Sequence, residues 1–84
     1  MNKRLLESIM KLNGDTGTSL AEYLGISRGT FSAKKNETNG AEFTQGEIAA
    51  IKLKYSLQAE QLDSIFFKEK VSNLDISRNR EASI

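Results

Sequence analysis

One glycine between two short apolar-periodic stretches sets the terms for this chain. Gly25 follows Leu20, Ala21 and Leu24 and precedes Ile26, Ser27 and Phe31. Glycine takes the left-handed backbone that ends a helix at no steric cost. Ser27 is a good N-cap, because its hydroxyl can accept from the free amides of the following turn. The spacing predicts a helix ending at Leu24, a tight turn, and a second helix over about residues 28–35. Ala21 is small where the second helix crosses the first. Ile26 and Phe31 fill the corner, with Leu20 and Leu24 beneath. Two short helices joined at a glycine by a turn of three or four residues make a helix-turn-helix, here over residues 16–37.

The rest of the chain reads as more helix. Leu5, Leu6, Ile9, Met10 and Leu12 recur at helical spacing, which predicts helix 1 over about residues 3–12. Asn13-Gly14-Asp15 is a stop-and-turn cluster, after which Thr16 or Thr18 caps helix 2. Residues 36–42 form a polar loop. Thr44 and Glu47 then make a capping box, with Phe43 as a staple against Ile48. Helix 4 is expected over about residues 44–55, with Ile48, Ile51 and Tyr55 on one face. Ser56-Leu57 is a short break. Helix 5 follows over about residues 58–67, with Leu62, Ile65 and Phe66 inward. Beyond Lys68 the pattern dissolves: Val71, Leu74 and Ile76 stand alone among polar residues. The expectation is an all-α, five-helix domain over residues 1–68 and a disordered, flexible tail over residues 69–84.

Composition narrows the chemistry. The 84 residues suffice for one compact domain. The chain has no Cys and no His, so disulfides, the usual zinc ligands and the commonest general base are missing. No cofactor or metal is expected, and no enzyme. Glu60 and Asp63 sit one turn apart, but nothing nucleophilic or electrophilic accompanies them, so they read as surface charges. Gly14-Asp15-Thr16-Gly17 lacks the Gly-Lys-Ser/Thr ending that gives a phosphate loop its mechanism. No apolar run approaches the ~20 residues of a membrane span, and Glu7, Ser8 and Lys11 interrupt the start of the chain before a signal-like apolar core can form. A cytoplasmic protein without membrane contact is expected. Net charge is only +1, yet residues 27–36 carry Arg28, Lys34 and Lys35 and no acid. Such a stretch serves as an electrostatic footprint or simply as a solvated face.

The pattern Leu20-Ala21-x-x-Leu24-Gly25-Ile26-Ser27-x-x-Thr30-Phe31 resembles the helix-turn-helix of the lambda-repressor/Cro-like (XRE-type) superfamily. The stretch from Phe43 to Ile48 and on to Phe67 is similar to small Cro-like regulators encoded by phages of Gram-positive bacteria. The resemblance covers about residues 3–67. It implies that helix 3 enters the major groove of operator DNA in a bacterial host. Arg28, Gly29, Ser32 and Ala33 then take base-facing positions behind the Ser27 cap, while Lys35 and Asn36 lie near the backbone. Thr16, Gly17 and Thr18 meet phosphates through free amides and hydroxyls. Arg28 is the strongest base reader, since its planar fork fits the O6 and N7 edge of guanine. Two positions depart from the family. Lys34 stands where a large apolar residue is usual, and its stem is expected to lie over the core with the ammonium directed to a phosphate. Gly29 and Ala33 replace longer readers.

Two functions fit this reading. The first is a phage-type transcriptional regulator, a repressor in a lysogeny switch. The second is an antirepressor or modulator that binds the phage lysogeny repressor itself, a role that the small residues at positions 29 and 33 would suit. Solution behaviour is expected to be monomer or weak homodimer that pairs on DNA, with Leu57, Phe67 and Val71 as the apolar candidates for self-association.

Overall fold

A computed structural model describes residues 1–67, among which there are five α-helices and no strand. The helices are α1 (Lys3–Leu12), α2 (Gly17–Leu24), α3 (Arg28–Asn36), α4 (Gln45–Tyr55) and α5 (Ala59–Phe66). A single 3-10 turn, Thr38–Gly40, follows α3. None of the helices among the described residues is long and apolar enough to cross a membrane. The tail expected over residues 69–84, Val71 included, lies outside the described residues.

Local chemistry sets most of the helix ends. Asn2 caps α1 by accepting from the Leu5 amide at 3.2 Å. No carboxylate stands in the first turn of α1, which carries Lys3 and Arg4 instead. Of the two candidate caps for α2, Thr16 is the one used: its hydroxyl accepts from the Ser19 amide, and Ser19 accepts in return from the Thr16 amide. Thr44 and Glu47 form the expected capping box at the start of α4.

Three helices end in the same way. Gly14, Gly25 and Ser56 each take a left-handed backbone, and the next residue donates to the carbonyl five positions back. These bonds are Asp15 to the Met10 carbonyl at 2.8 Å, Ile26 to Ala21 at 3.0 Å and Leu57 to Lys52 at 2.9 Å. The third corrects the sequence reading of Leu57 as a surface residue for self-association. The left-handed Ser56 turns the chain back on α4, and Leu57 is buried in the core, 7% exposed. Leu12, read as part of an apolar face, is instead exposed at the end of α1.

The core gathers Leu6 and Met10 from α1, Leu20 and Ala21 from α2, Phe31 from α3, Ile51 from α4, and Ile65 and Phe66 from α5. Phe43 and Leu57 enter it from connecting segments. Phe31, Phe43 and Phe66 form a line of edge-on rings with centroids 5.7 and 5.9 Å apart, a favoured aromatic geometry. Phe31 is the one buried side chain of α3. Replacing it with Ala is expected to cost about 3–5 kcal/mol, which approaches the whole stability of a domain this small. Chemical denaturation monitored by helical circular dichroism measures the loss, and a midpoint like the parent's would refute this account of how α3 is held.

Candidate functional site

The α2–turn–α3 unit presents the residues singled out from the sequence. The turn is Gly25-Ile26-Ser27, and α3 packs on α2 through Phe31. Gly17 lies under the Phe31 ring, so that a Cβ there would sit 3.7 Å from two ring carbons. The Ser27 hydroxyl accepts from the Thr30 amide at 3.0 Å and donates to the Thr30 hydroxyl at 2.9 Å. The cap therefore occupies it, while the Arg28 and Gly29 amides remain unpaired in the first turn of α3. The Thr16 hydroxyl is likewise occupied as the cap of α2, leaving the Gly17 and Thr18 amides unpaired.

On the outer face of α3, Arg28, Gly29, Ser32 and Asn36 are exposed and Ala33 is half-buried. Arg28 makes no hydrogen bond or ion pair among the described residues. Gly29 is helical, with no positive φ, and a Cβ built on it would meet only the Ser27 hydroxyl at 4.0 Å. The fold therefore has room for a side chain at this position. Asn36 is tied on both sides: its amide nitrogen donates to Ser32 Oγ at 3.3 Å, and its oxygen accepts from Lys3 Nζ at 2.8 Å.

Both lysines of α3 are paired within the molecule. Lys34 lays its stem inward, as expected, but its ammonium binds both carboxylate oxygens of Glu47 at 2.8 and 2.9 Å instead of pointing to an outside phosphate. Both side chains are largely buried, at 17% and 13% exposed. Glu47 is thus both the cap of α4 and the counter-ion of α3. Burial pushes its carboxyl up, but hydrogen bonds from Lys34 and Thr44 outweigh burial and hold it below the ordinary glutamate range. Lys35 turns to Glu7 on α1 at 2.7 Å and lies 5.9 Å over the Phe31 ring. The polar atoms of α3 are in this way shared among α1, α4 and the outer face.

A second polar group, missed in the sequence, braces the entry to α2. Tyr55 of α4 donates to Asp15 Oδ2 at 2.6 Å, and Ser19 donates to Asp15 Oδ1 at 2.8 Å. Lys54 stands 3.5 Å from the same carboxylate and 4.7 Å over the Tyr23 ring. The bonds from Tyr55 and then Ser19 hold the Asp15 carboxyl below the ordinary aspartate range. Burial, followed by the bond to Asp15, pushes the Tyr55 phenol up, so it stays a donor. Asp15 and Tyr55 are forty positions apart, and only the stop-and-turn character of Asp15 was visible locally.

Nothing matches this chain among protein-family models, curated proteins or solved structures. Among the described residues no three His, Cys, Asp or Glu side chains gather into a metal-binding group.

Two predictions follow from these bonds. Lys34→Met should cost about 1.5–3 kcal/mol, the range for a hydrogen bond to a charged group, because it strands the Glu47 carboxylate. Adding Glu47→Gln, which keeps the capping box without needing a cation, should restore much of that stability in a double-mutant cycle. Additive losses would show that the pair is not coupled. The second concerns pH. A carboxyl whose folded pKa is depressed stabilises the fold above its unfolded pKa and loses that contribution as pH falls through the folded value. Asp15 should therefore contribute fully above about pH 4, the ordinary aspartate value, and progressively less below it. Asp15→Asn should be less stable at neutral pH and decline less steeply in acid; thermal melts at stepped pH values compare the two.

Proposed function

We propose that this protein is a DNA-binding transcriptional regulator of the Cro-like, lambda-repressor type, which lays the outer face of α3 in the major groove of operator DNA. The observation that carries the reading is Gly29. A helical glycine costs stability relative to alanine, and nothing in the fold requires one here. It sits on an exposed face between the unpaired Arg28 and the small Ser32, behind a capped helix end. Such a bare stripe suits the close approach of a base edge, and Arg28 beside it supplies a bidentate reader. The Arg28 and Gly29 amides, with those of Gly17 and Thr18, supply donors for backbone phosphates.

The arrangement shifts the roles within the site. Arg28 carries base reading, Ser32 adds a weak hydroxyl contact, and Ala33 with Gly29 offers only close packing. Lys34 supports α3 through Glu47. Lys35 and Asn36 stand at the edge, nearest the backbone. The protein would act in the cytoplasm of a bacterial host as a monomer or weak homodimer that pairs on its site. One observation favours the second reading, a modulator that binds the phage lysogeny repressor. Phe67 is 45% exposed beside a cleft of about 180 Å³ whose floor of Phe43, Ile48 and Phe66 is bordered by Lys34, Glu37 and Glu42, an apolar centre with a polar rim of the kind that protein partners cover.

Gly29→Ala separates fold from function. It should raise stability by about 0.4–1 kcal/mol, the usual gain for glycine to alanine at a compatible backbone. It should at the same time weaken binding to a duplex that the parent selects from a random pool. Arg28→Ala should cost about 1–3 kcal/mol on that duplex and much less on a scrambled one, and Arg28→Lys should restore the scrambled binding more than the selected. Equal losses on both duplexes would reduce Arg28 to a phosphate contact. A parent that selects no sequence and binds no duplex at low salt would overturn the DNA reading, and capture of the repressor by the same protein would establish the second.

A further inference from the structure

The start of α1 and the end of α3 meet in an open cleft of about 270 Å³ that no sequence motif marked. Lys3 and Arg4 line it from α1, and Lys35 and Asn36 line it from α3. These groups lie more than thirty positions apart in the chain. Lys3 Nζ donates to Asn36, and Asn36 donates to Ser32, so a continuous line of polar groups runs from the outer face of α3 to the first turn of α1. Two carboxylates stand nearby, but each is engaged. Glu7 takes Lys35, and Glu37, on the cleft wall, lies 3.2 Å from the Met1 amine. Lys3 and Arg4 form no ion pair among the described residues, and both are exposed. Their charge is felt locally: after its hydrogen bond from Lys35, the fields of Lys35, Lys3 and Arg4 help hold the Glu7 carboxyl below the ordinary range.

We propose that this cleft receives a backbone phosphate of double-stranded DNA beside the stretch covered by α3, carrying the DNA contact from α3 onto α1 through Lys3 and Arg4. The proposal rests on the DNA-binding reading above. Three arguments favour a duplex phosphate. The cleft is open, so it can admit a phosphate that remains part of a chain. It adjoins the outer face of α3 through Asn36, so a duplex lying on that face passes over it. Its two unneutralised cations suit a polyanion, whose binding is driven by counterion release. Lys34 and Lys35 are largely committed to Glu47 and Glu7, so Lys3 and Arg4 are the cations left beside this end of α3.

The test compares the full chain with Arg4→Gln, Lys3→Gln/Arg4→Gln and Lys11→Gln on a random-sequence duplex over a series of salt concentrations. Arg4 has no hydrogen bond or ion pair among the described residues to lose, only its field at Glu7, and thermal melting checks that each variant folds. The double variant should flatten the slope of log affinity against log salt by about one unit, the loss of one phosphate contact, and Arg4→Gln should move it part of the way. Lys11→Gln removes the same charge at the far end of α1 and should leave the slope alone. Inorganic phosphate at matched ionic strength should compete no better than chloride. An unchanged slope in the double variant, while the parent binds, overturns the cleft and leaves the DNA reading standing. An equal change from Lys11→Gln assigns the effect to net charge and overturns it too. Strong competition by inorganic phosphate would make the cleft a small-anion site instead. A parent that binds no duplex at low salt overturns both the cleft and the reading it rests on.

Discussion

The burial of one aromatic ring governs how this molecule presents itself. Helix α3 has nine residues, too few to be stable alone in water, and Phe31 is its one fully buried side chain. The ring meets Phe43 edge-on and covers Gly17 at the start of α2. With a single apolar anchor, a short helix could still roll about its axis. Ion pairs on either side of the ring oppose that roll: Lys34 to Glu47 of α4, and Lys35 to Glu7 of α1. Asn36 adds a hydrogen bond from Lys3 of α1. The outward direction of Arg28, Gly29 and Ser32 is a consequence of these contacts.

That arrangement has an electrostatic consequence. A near-neutral chain has few cations to give to a polyanion, and α3 spends two of its three on holding itself in place. The Lys34 pair is the more consequential, being shielded from water on both sides; the Lys35 pair, with Glu7 half exposed, is screened and adds less. Arg28 is the α3 cation left without an internal partner. A helix that keeps one free guanidinium at its start, followed by residues with little or no side chain, has separated structural charge from presenting charge along its length.

What could be read from the sequence follows the range of the interactions. The boundaries of α1, α4 and α5, the Gly25 turn, the Ser27 cap and the Thr44–Glu47 box rest on neighbours within a turn or two, and all were legible. Thr16 and Thr18 were indistinguishable as caps until Ser19 reciprocated with Thr16. Leu57 was misjudged because the turn before it uses Ser56 in a left-handed backbone, where glycine would have announced it. The destination of the Lys34 ammonium was misjudged for a different reason. Glu47 is thirteen positions away, and its capping role gave no hint of a second partner. The bonds between Asp15 and Tyr55 and between Lys3 and Asn36 span still longer separations and leave no local trace. Periodicity and capping thus fix the elements, while the polar contacts between elements appear only once the helices are packed.

The two functional readings call on different surfaces, which is why they can be told apart. Protein interfaces draw their binding energy from a few well-packed anchors, chiefly aromatic residues and Arg. The outer face of α3 offers one such residue, Arg28, and around it Gly29, Ser32 and Ala33 give little area to pack against. The apolar material lies elsewhere, at Phe67 beside the Phe43–Phe66 cleft and at the exposed Leu53 of α4. A partner that needs hydrophobic anchors has reason to use those places and to ignore α3. A partner that offers flat base edges and a charged backbone has reason to do the opposite, since close approach, amide donors and one forked cation are what that face supplies. The same small residues that, in the sequence, suited a modulator that binds another protein are, on this geometry, a poor foothold for one.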